Sequence, residues 1–176
     1  MDVVPARAED RSQLEAFLRH HHSMRVARHG ELLDSLDHPA LVAWSGDELV
    51  GVATYVVRGV ECELLTLHAR AQFEGTGSAL VAAVREVARQ YGCTRLWVVT
   101  TNDNVDALRF YQRRGFRLAH LRAGAVDKSR ETLKPEIPRT GAHDIPLRDE
   151  LELEMDLTDA GDRLDPPMDH PPRVES

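Results

Sequence analysis

The sequence predicts an α/β domain of the α+β kind, with a central mixed sheet flanked by helices. Three observations predict it. Strand-type and helix-type apolar patterns alternate along the chain without any internal repeat. The longest helical pattern follows a strand through a loop with two glycines, Gly75 and Gly77. With 42 % apolar residues in a chain of 176, there is material for one core.

The elements follow in order. Val3 and Val4 suit a short first strand. Asp10 or Ser12 then caps a helix, with Ser12 and Glu15 spaced as a capping box and Leu14, Phe17 and Leu18 on one face. His20, His21 and His22 come next; adjacent helical residues point in different directions, so they read as a solvated helix end and not as a metal cluster. Residues 23–38 read as a second helix or a loop. Two strand patterns, 40–44 and 49–57, flank the turn Ser45-Gly46-Asp47 and suit a hairpin. After Arg58-Gly59, residues 61–68 alternate in part, with Glu61, Glu63, Leu65 and Leu67 on one face and Cys62, Leu64, Thr66 and His68 on the other. A helix over 78–91 carries Leu80, Val81, Val84, Val87, Ala88 and Tyr91 at helical spacing, with Gly92 fit to end it. Residues 95–100 are a buried-type strand, Asn102 to Asn104 cap a short helix that Gly115 stops, and 116–121 are a further strand. Residues 123–148, with three prolines, read as a long loop, and 151–157 alternate strictly between apolar and acidic. The domain is thus expected over 1–158. The Pro- and Asp-rich stretch 159–176 has no periodicity and is expected to be a disordered tail.

Composition excludes several classes. No apolar run approaches the ~18 residues that cross a bilayer, so no membrane partner is expected. The start of the chain lacks a basic stretch followed by an apolar one, so no signal peptide is expected. Cys62 and Cys93 make neither a disulfide framework nor a zinc set, so no metal and a reducing, cytoplasmic home are expected. Residues 1–134 hold 18 basic and 17 acidic groups, and 135–176 hold 4 and 12. A neutral body gives no general electrostatic reason to bind nucleic acid.

The chemistry-bearing stretch is Gln72-Phe73-Glu74-Gly75-Thr76-Gly77, between a strand and a long helix. Free N–H groups at a helix start, with glycines that let a ligand approach, suit a phosphate. No Gly-Lys-Ser/Thr follows, so it is not a Walker A loop. Leu80 stands where a dinucleotide fingerprint needs its third glycine. Alone, the stretch is equally a plain strand-to-helix turn. After the next strand comes Asn104-x-x-Ala107-x-x-Phe110-Tyr111-x-x-x-Gly115-Phe116.

Together these resemble the GCN5-related N-acetyltransferase superfamily, whose pyrophosphate loop reads Q/R-x-x-G-x-G/A and whose later signature reads N-x-x-A-x-x-F/Y-Y-x-x-x-G-F. The resemblance is specific over residues 61–116 and does not cover the tail. It implies a mostly antiparallel mixed sheet and direct transfer of an acetyl group from acetyl-CoA to a primary amine, with no metal. Acetyl-CoA would lie where the strands 61–68 and 95–100 part. Leu65, Thr66 and Leu67 would hold the acetyl and pantetheine end, Gln72, Phe73, Glu74, Gly75, Thr76, Gly77 and Ser78 the pyrophosphate, and Asn104 the pantetheine. Tyr111 matches the family's general acid. The base is expected on the earlier strand, at Glu63 in preference to Glu61, because Val99 stands where one branch has its glutamate. The rival reading is a non-catalytic acyl-CoA-binding or partner-binding module on the same fold. Asp144, Asp149 and Glu150 favour a cationic acceptor, and relatives that dimerise make a homodimer an expectation of the resemblance.

Of the remaining candidates, Cys62, Cys93, Trp44 and Trp97 read as core, His68 as a surface position beside the loop, and Arg113, Arg114 and Arg117 equally as a phosphate-facing cluster or a solvated helix end. His143, beside Asp144 in the long loop, is a substrate-side acid or base candidate of low rank.

Overall fold

The computed structural model describes residues 1–70 and 75–158. The expected tail and Gln72, Phe73 and Glu74 lie outside the described residues. The chain forms β1 (Asp2–Pro5), α1 (Arg11–His20), β2 (Arg25–Arg28), β3 (Glu31–Asp34), β4 (Ala40–Ser45), β5 (Glu48–Arg58), β6 (Glu61–Ala69), α2 (Thr76–Gln90), β7 (Arg95–Thr101), α3 (Val105–Gln112), β8 (Arg117–Arg122), α4 (Ala125–Thr132) and β9 (Glu150–Asp156). Seven strands make one sheet in the order β1-β4-β5-β6-β7-β9-β8, while β2 and β3 pair only with each other. Neighbours are antiparallel except β6 and β7, which run parallel. The mixed, mostly antiparallel sheet flanked by helices is the architecture expected. No helix among the described residues is long and apolar enough to cross a membrane.

The helices sit on both faces because the strands bury side chains on both. On one face α2 presents Leu80, Val81, Val84 and Ala88 to Leu41, Ala53, Cys62, Leu64, Leu96 and Leu153, and α3 adds Tyr111. On the other, Leu14, Phe17 and Leu18 of α1 pack on Val42, Leu49 and Val52. Exposed Tyr91 leaves the face of α2 on which its spacing set it.

Three segments depart from expectation. Residues 25–34 form a hairpin, not a helix or loop: His29 and Gly30 both take positive φ (50° and 73°), the two-residue turn that matches strand twist. The supposed loop 123–148 contains α4, entered through Gly124 in the left-handed conformation. Arg130 stitches the rest of it, donating to the carbonyls of Ile137, Pro138 and Leu147 and pairing with Asp127. Finally, α1 starts without the Ser12–Glu15 box. Asp10 instead accepts from the Arg7 amide at 2.8 Å, closing the short turn before the helix.

Candidate active site

The site begins with a bulge. Thr66 faces Thr54 and Leu64 faces Tyr55, so Leu65 is the extra residue in β6. An extra residue reverses the alternation. Cys62, Leu64 and Leu67 therefore point to the α2 face, and Glu63, Thr66 and His68 to the other, which corrects the uninterrupted alternation expected from the sequence. The strand also bends away from β7. The two share only Glu61↔Arg95, Cys62↔Leu96 and Glu63↔Trp97 before they part.

The opening is a cleft of about 390 Å³ that runs between the two faces of the sheet. Leu65 to His68 form one wall and Val98 to Thr101 the other. From the α2 face, Asn104, Ala107 and Tyr111 reach it. Tyr111 is buried, edge-on to Phe110 and Phe116, and burial pushes its phenol up. Asn104 caps α3, its Oδ1 accepting from the Ala107 amide at 3.1 Å. The cleft thus brings together Leu65, Thr66, Leu67, Asn104 and Tyr111 from the expected set.

The glycine turn leads into α2 on the same face. Gly75 takes φ 84°, and Gly77 lies against the Phe110 ring: a Cβ there would meet ring carbons at 3.1 Å. Arg114 stacks its guanidinium 3.5 Å over the Phe110 ring and donates to Ser78 Oγ at 2.9 and 2.5 Å. Arg114 is therefore a brace between α3 and the first turn of α2, a cation beside the expected pyrophosphate loop. Sequence reading left it undecided.

Neither candidate base lines the cleft. Glu63 is buried with both carboxylate oxygens bound by Arg28, at 2.6 and 2.5 Å, and Arg28 is equally buried. Glu61 is half-exposed and pairs with Arg95 at 3.3 Å. A carboxylate that takes a proton must give up such a pair, so the geometry sets Glu63 as the anchor of the β2–β3 hairpin. Trp97, read as core, lies on this same polar face, stacked under His29 at 5.1 Å with the Arg28 and Arg95 guanidinium groups near its ring. Next to it Glu152 is buried among Arg95, Arg122 and His29.

The acidic flank has structural duties. Asp149 accepts from the Gly124 amide at 2.7 Å, Glu150 from the His29 amide at 3.3 Å, and Asp144 is exposed; none lines the cleft. The histidines do more than expected. His21 stacks on His68 at 4.6 Å and 13°, and His22, at φ 55°, lines the cleft with His68. Burial pushes His68 down to about 4, so it is neutral at ordinary pH. Cys62 is buried, and burial raises its thiol to about 12, which takes it out of nucleophilic chemistry. The described residues hold no group of three or more metal-ligating side chains.

Comparison with known proteins agrees with this geometry. The acetyltransferase (GNAT) family model matches residues 6–116. The uncharacterized protein YxbD of Bacillus subtilis is 33 % identical over 160 residues, covering 89 % of this chain and 99 % of its own. The uncharacterized YdhI of the same organism is 43 % identical over 118 residues, 67 % of this chain and 72 % of its own. Among solved structures, an IAA acetyltransferase from Bacillus cereus superposes with TM-score 0.67 at 22 % identity, covering 88 % of this chain and 99 % of that one. A Bacillus subtilis acetyltransferase in complex with CoA gives TM-score 0.64 at 19 % identity, covering 88 % and 97 %. At these identities the solved structures speak for the fold, and the family model and the 33 % relative speak for descent: the chain belongs to the acetyltransferase (GNAT) family.

Proposed function

We propose that the protein transfers the acetyl group of acetyl-CoA directly to a primary amine. The carrying observation is the cleft where β6 and β7 part, with Tyr111 and Asn104 in its lining and the Gly75–Gly77 turn on the same face of the sheet. The neighbours solved with CoA or acetyl-CoA support that cofactor.

The residues divide the work as follows. The turn at Gly75, Thr76, Gly77 and Ser78, at a helix start with Arg114 beside it, receives the pyrophosphate. The bulge at Leu65 frees backbone groups of Leu65 and Leu67 for the pantetheine and the acetyl carbonyl. Asn104, its oxygen engaged in the α3 cap, offers its amide nitrogen. The neutral amine attacks the thioester carbonyl, the C–S bond breaks, and the Tyr111 hydroxyl hands its proton to the departing thiolate. The proton lost by the amine restores the phenol through solvent, so amine and acetyl-CoA become amide and free CoA thiol. A raised phenol pKa keeps Tyr111 protonated, the form an acid needs.

Neither Glu63 nor Glu61 takes the amine proton in this scheme. Among the described residues of the cleft, His68 is the imidazole that burial keeps neutral, with a lone pair able to take a proton. The test is release of thiol from acetyl-CoA over a broad panel of amines, run beside thermal shift. Acetyl-CoA raises Tm by mass action and ATP does so far less. Binding without thiol release on any amine leaves the module reading in its place.

A further inference from the structure

The hairpin side of the cleft differs in charge from what the acidic flank of the sequence suggests. Arg25 of β2 and Lys134, just beyond α4, both line it, and Lys134 Nζ donates to the Arg25 carbonyl at 2.7 Å. Beside them are the buried Ser129 hydroxyl and His22, between the apolar walls of Val26 and Ile137. Among the described residues that line the cleft there is no Asp or Glu. Glu136 pairs with Arg25 at 3.1 Å from outside the lining; both side chains are more than half exposed there. Lys134 is half-buried without a carboxylate partner of its own, and desolvation lowers it.

These cations are not the pyrophosphate site. The Gly75–Gly77 turn and Arg114 belong to the α2 face, whereas β2 and α4 lie on the opposite face, where Arg28 meets Glu63. An acceptor amine that enters from the hairpin side therefore passes two positive groups before it reaches the bulge. Its reacting nitrogen is neutral when it attacks and needs no carboxylate to hold it. Any second charge it carries is what Arg25 and Lys134 sense. A second ammonium meets like charge there, and an anionic group meets Lys134, which has no carboxylate in hydrogen-bond contact, and an Arg25 shared only with the half-exposed Glu136.

On the proposed acetyltransferase activity, we propose that the acceptor is a small primary amine bearing an anionic group, carboxylate or phosphate, held by Lys134 and Arg25. The test uses amines matched in reach and different in their far end: β-alanine, O-phosphoethanolamine, ethanolamine and 1,3-diaminopropane. The readout is kcat/KM for thiol release from acetyl-CoA. The expected result is that at least one of the two anionic amines exceeds 1,3-diaminopropane by tenfold or more, with ethanolamine between them. The carboxylate and phosphate arms then name the anion. Lys134→Glu should invert the order of anionic amine and diamine, and Lys134→Gln, which keeps a donor toward the Arg25 carbonyl, should flatten it with Tm unchanged. A wild type that prefers the diamine, or an order that survives Lys134→Glu in a folded protein, overturns the proposal and leaves the acetyltransferase reading standing. No thiol release with these or any other amines overturns both.

Discussion

The phenol of Tyr111 sits between two aromatic edges, so removing its oxygen changes chemistry more than packing. Tyr111→Phe is expected to keep Tm and acetyl-CoA affinity near wild type and to lower kcat by roughly 10²–10³. Single-turnover measurement separates this from slow product release. The two glutamates divide differently. Glu63→Gln leaves Arg28 buried with half its partners and should cost about 3 kcal/mol in denaturant unfolding. Glu61→Gln loses a half-exposed pair, after which Arg95 still holds Glu152 and Glu154, and should cost under ~1 kcal/mol, with no change in the pH profile of the rate. A rate at neutral pH that falls in Glu61→Gln and recovers at high pH would return that residue to the role of base. His68 adds a pH signature. The unfolded chain binds a proton as pH falls through about 6.5, but the folded protein resists until about 4. The unfolded state thus holds more protons across that window. Stability is full above pH 6.5 and declines below it, by about 3 kcal/mol in all. Tm against pH should lose that part of its slope in His68→Gln. Residue identity told much here: Tyr111 and Asn104 stand out in their motif. Pairing was hidden, since nothing in Glu63 announces an arginine 35 positions earlier.

At the scale of elements, the strands and helices with strong apolar periods were legible to within about two residues at each end, and those held by polar contacts were not. The β2–β3 hairpin escaped because its turn is His29-Gly30, where the expected signal is Asn-Gly, and because its strands are only four residues long. The α4 helix buries only Val126 and Ser129, too little for a 3.6-residue period to show. The bulge at Leu65 was invisible for a sharper reason. One extra residue leaves the sequence alternation intact and reverses its meaning beyond that point, which is why Glu63 shares a face with Thr66 and not with Leu67. The glycine turn gives the test at this scale. Gly77→Val drives a side chain into the Phe110 ring and covers the backbone at the start of α2. The acetyl-CoA thermal shift should vanish, and Arg114→Met, which removes the brace to Ser78, should reduce it without abolishing it.

For the whole molecule, the pieces that shape the acceptor side come from distant parts of the chain. Asn102 ties them to β7: its Oδ1 accepts from the amides of Arg148 and Asp149, and its Nδ2 donates to the Pro146 carbonyl. A chain ended at Thr158 keeps every contact named above and should match the full chain in Tm and in its response to acetyl-CoA; a loss of several degrees would give residues 159–176 a docking role. The narrow junction of β6 with β7 carries a last consequence. Three residue pairs join a four-stranded half, β1-β4-β5-β6, to a three-stranded half, β7-β9-β8. At that seam the two halves are joined less by strand ladder than by α2 and the core that packs under both, so each half is expected to open locally at its own rate. Amide hydrogens in β8 and β9 should exchange as a block, at a rate distinct from those in β4 and β5. A ligand that spans the seam adds the cross-ties the strands lack there, so acetyl-CoA should slow both blocks and bring their rates together.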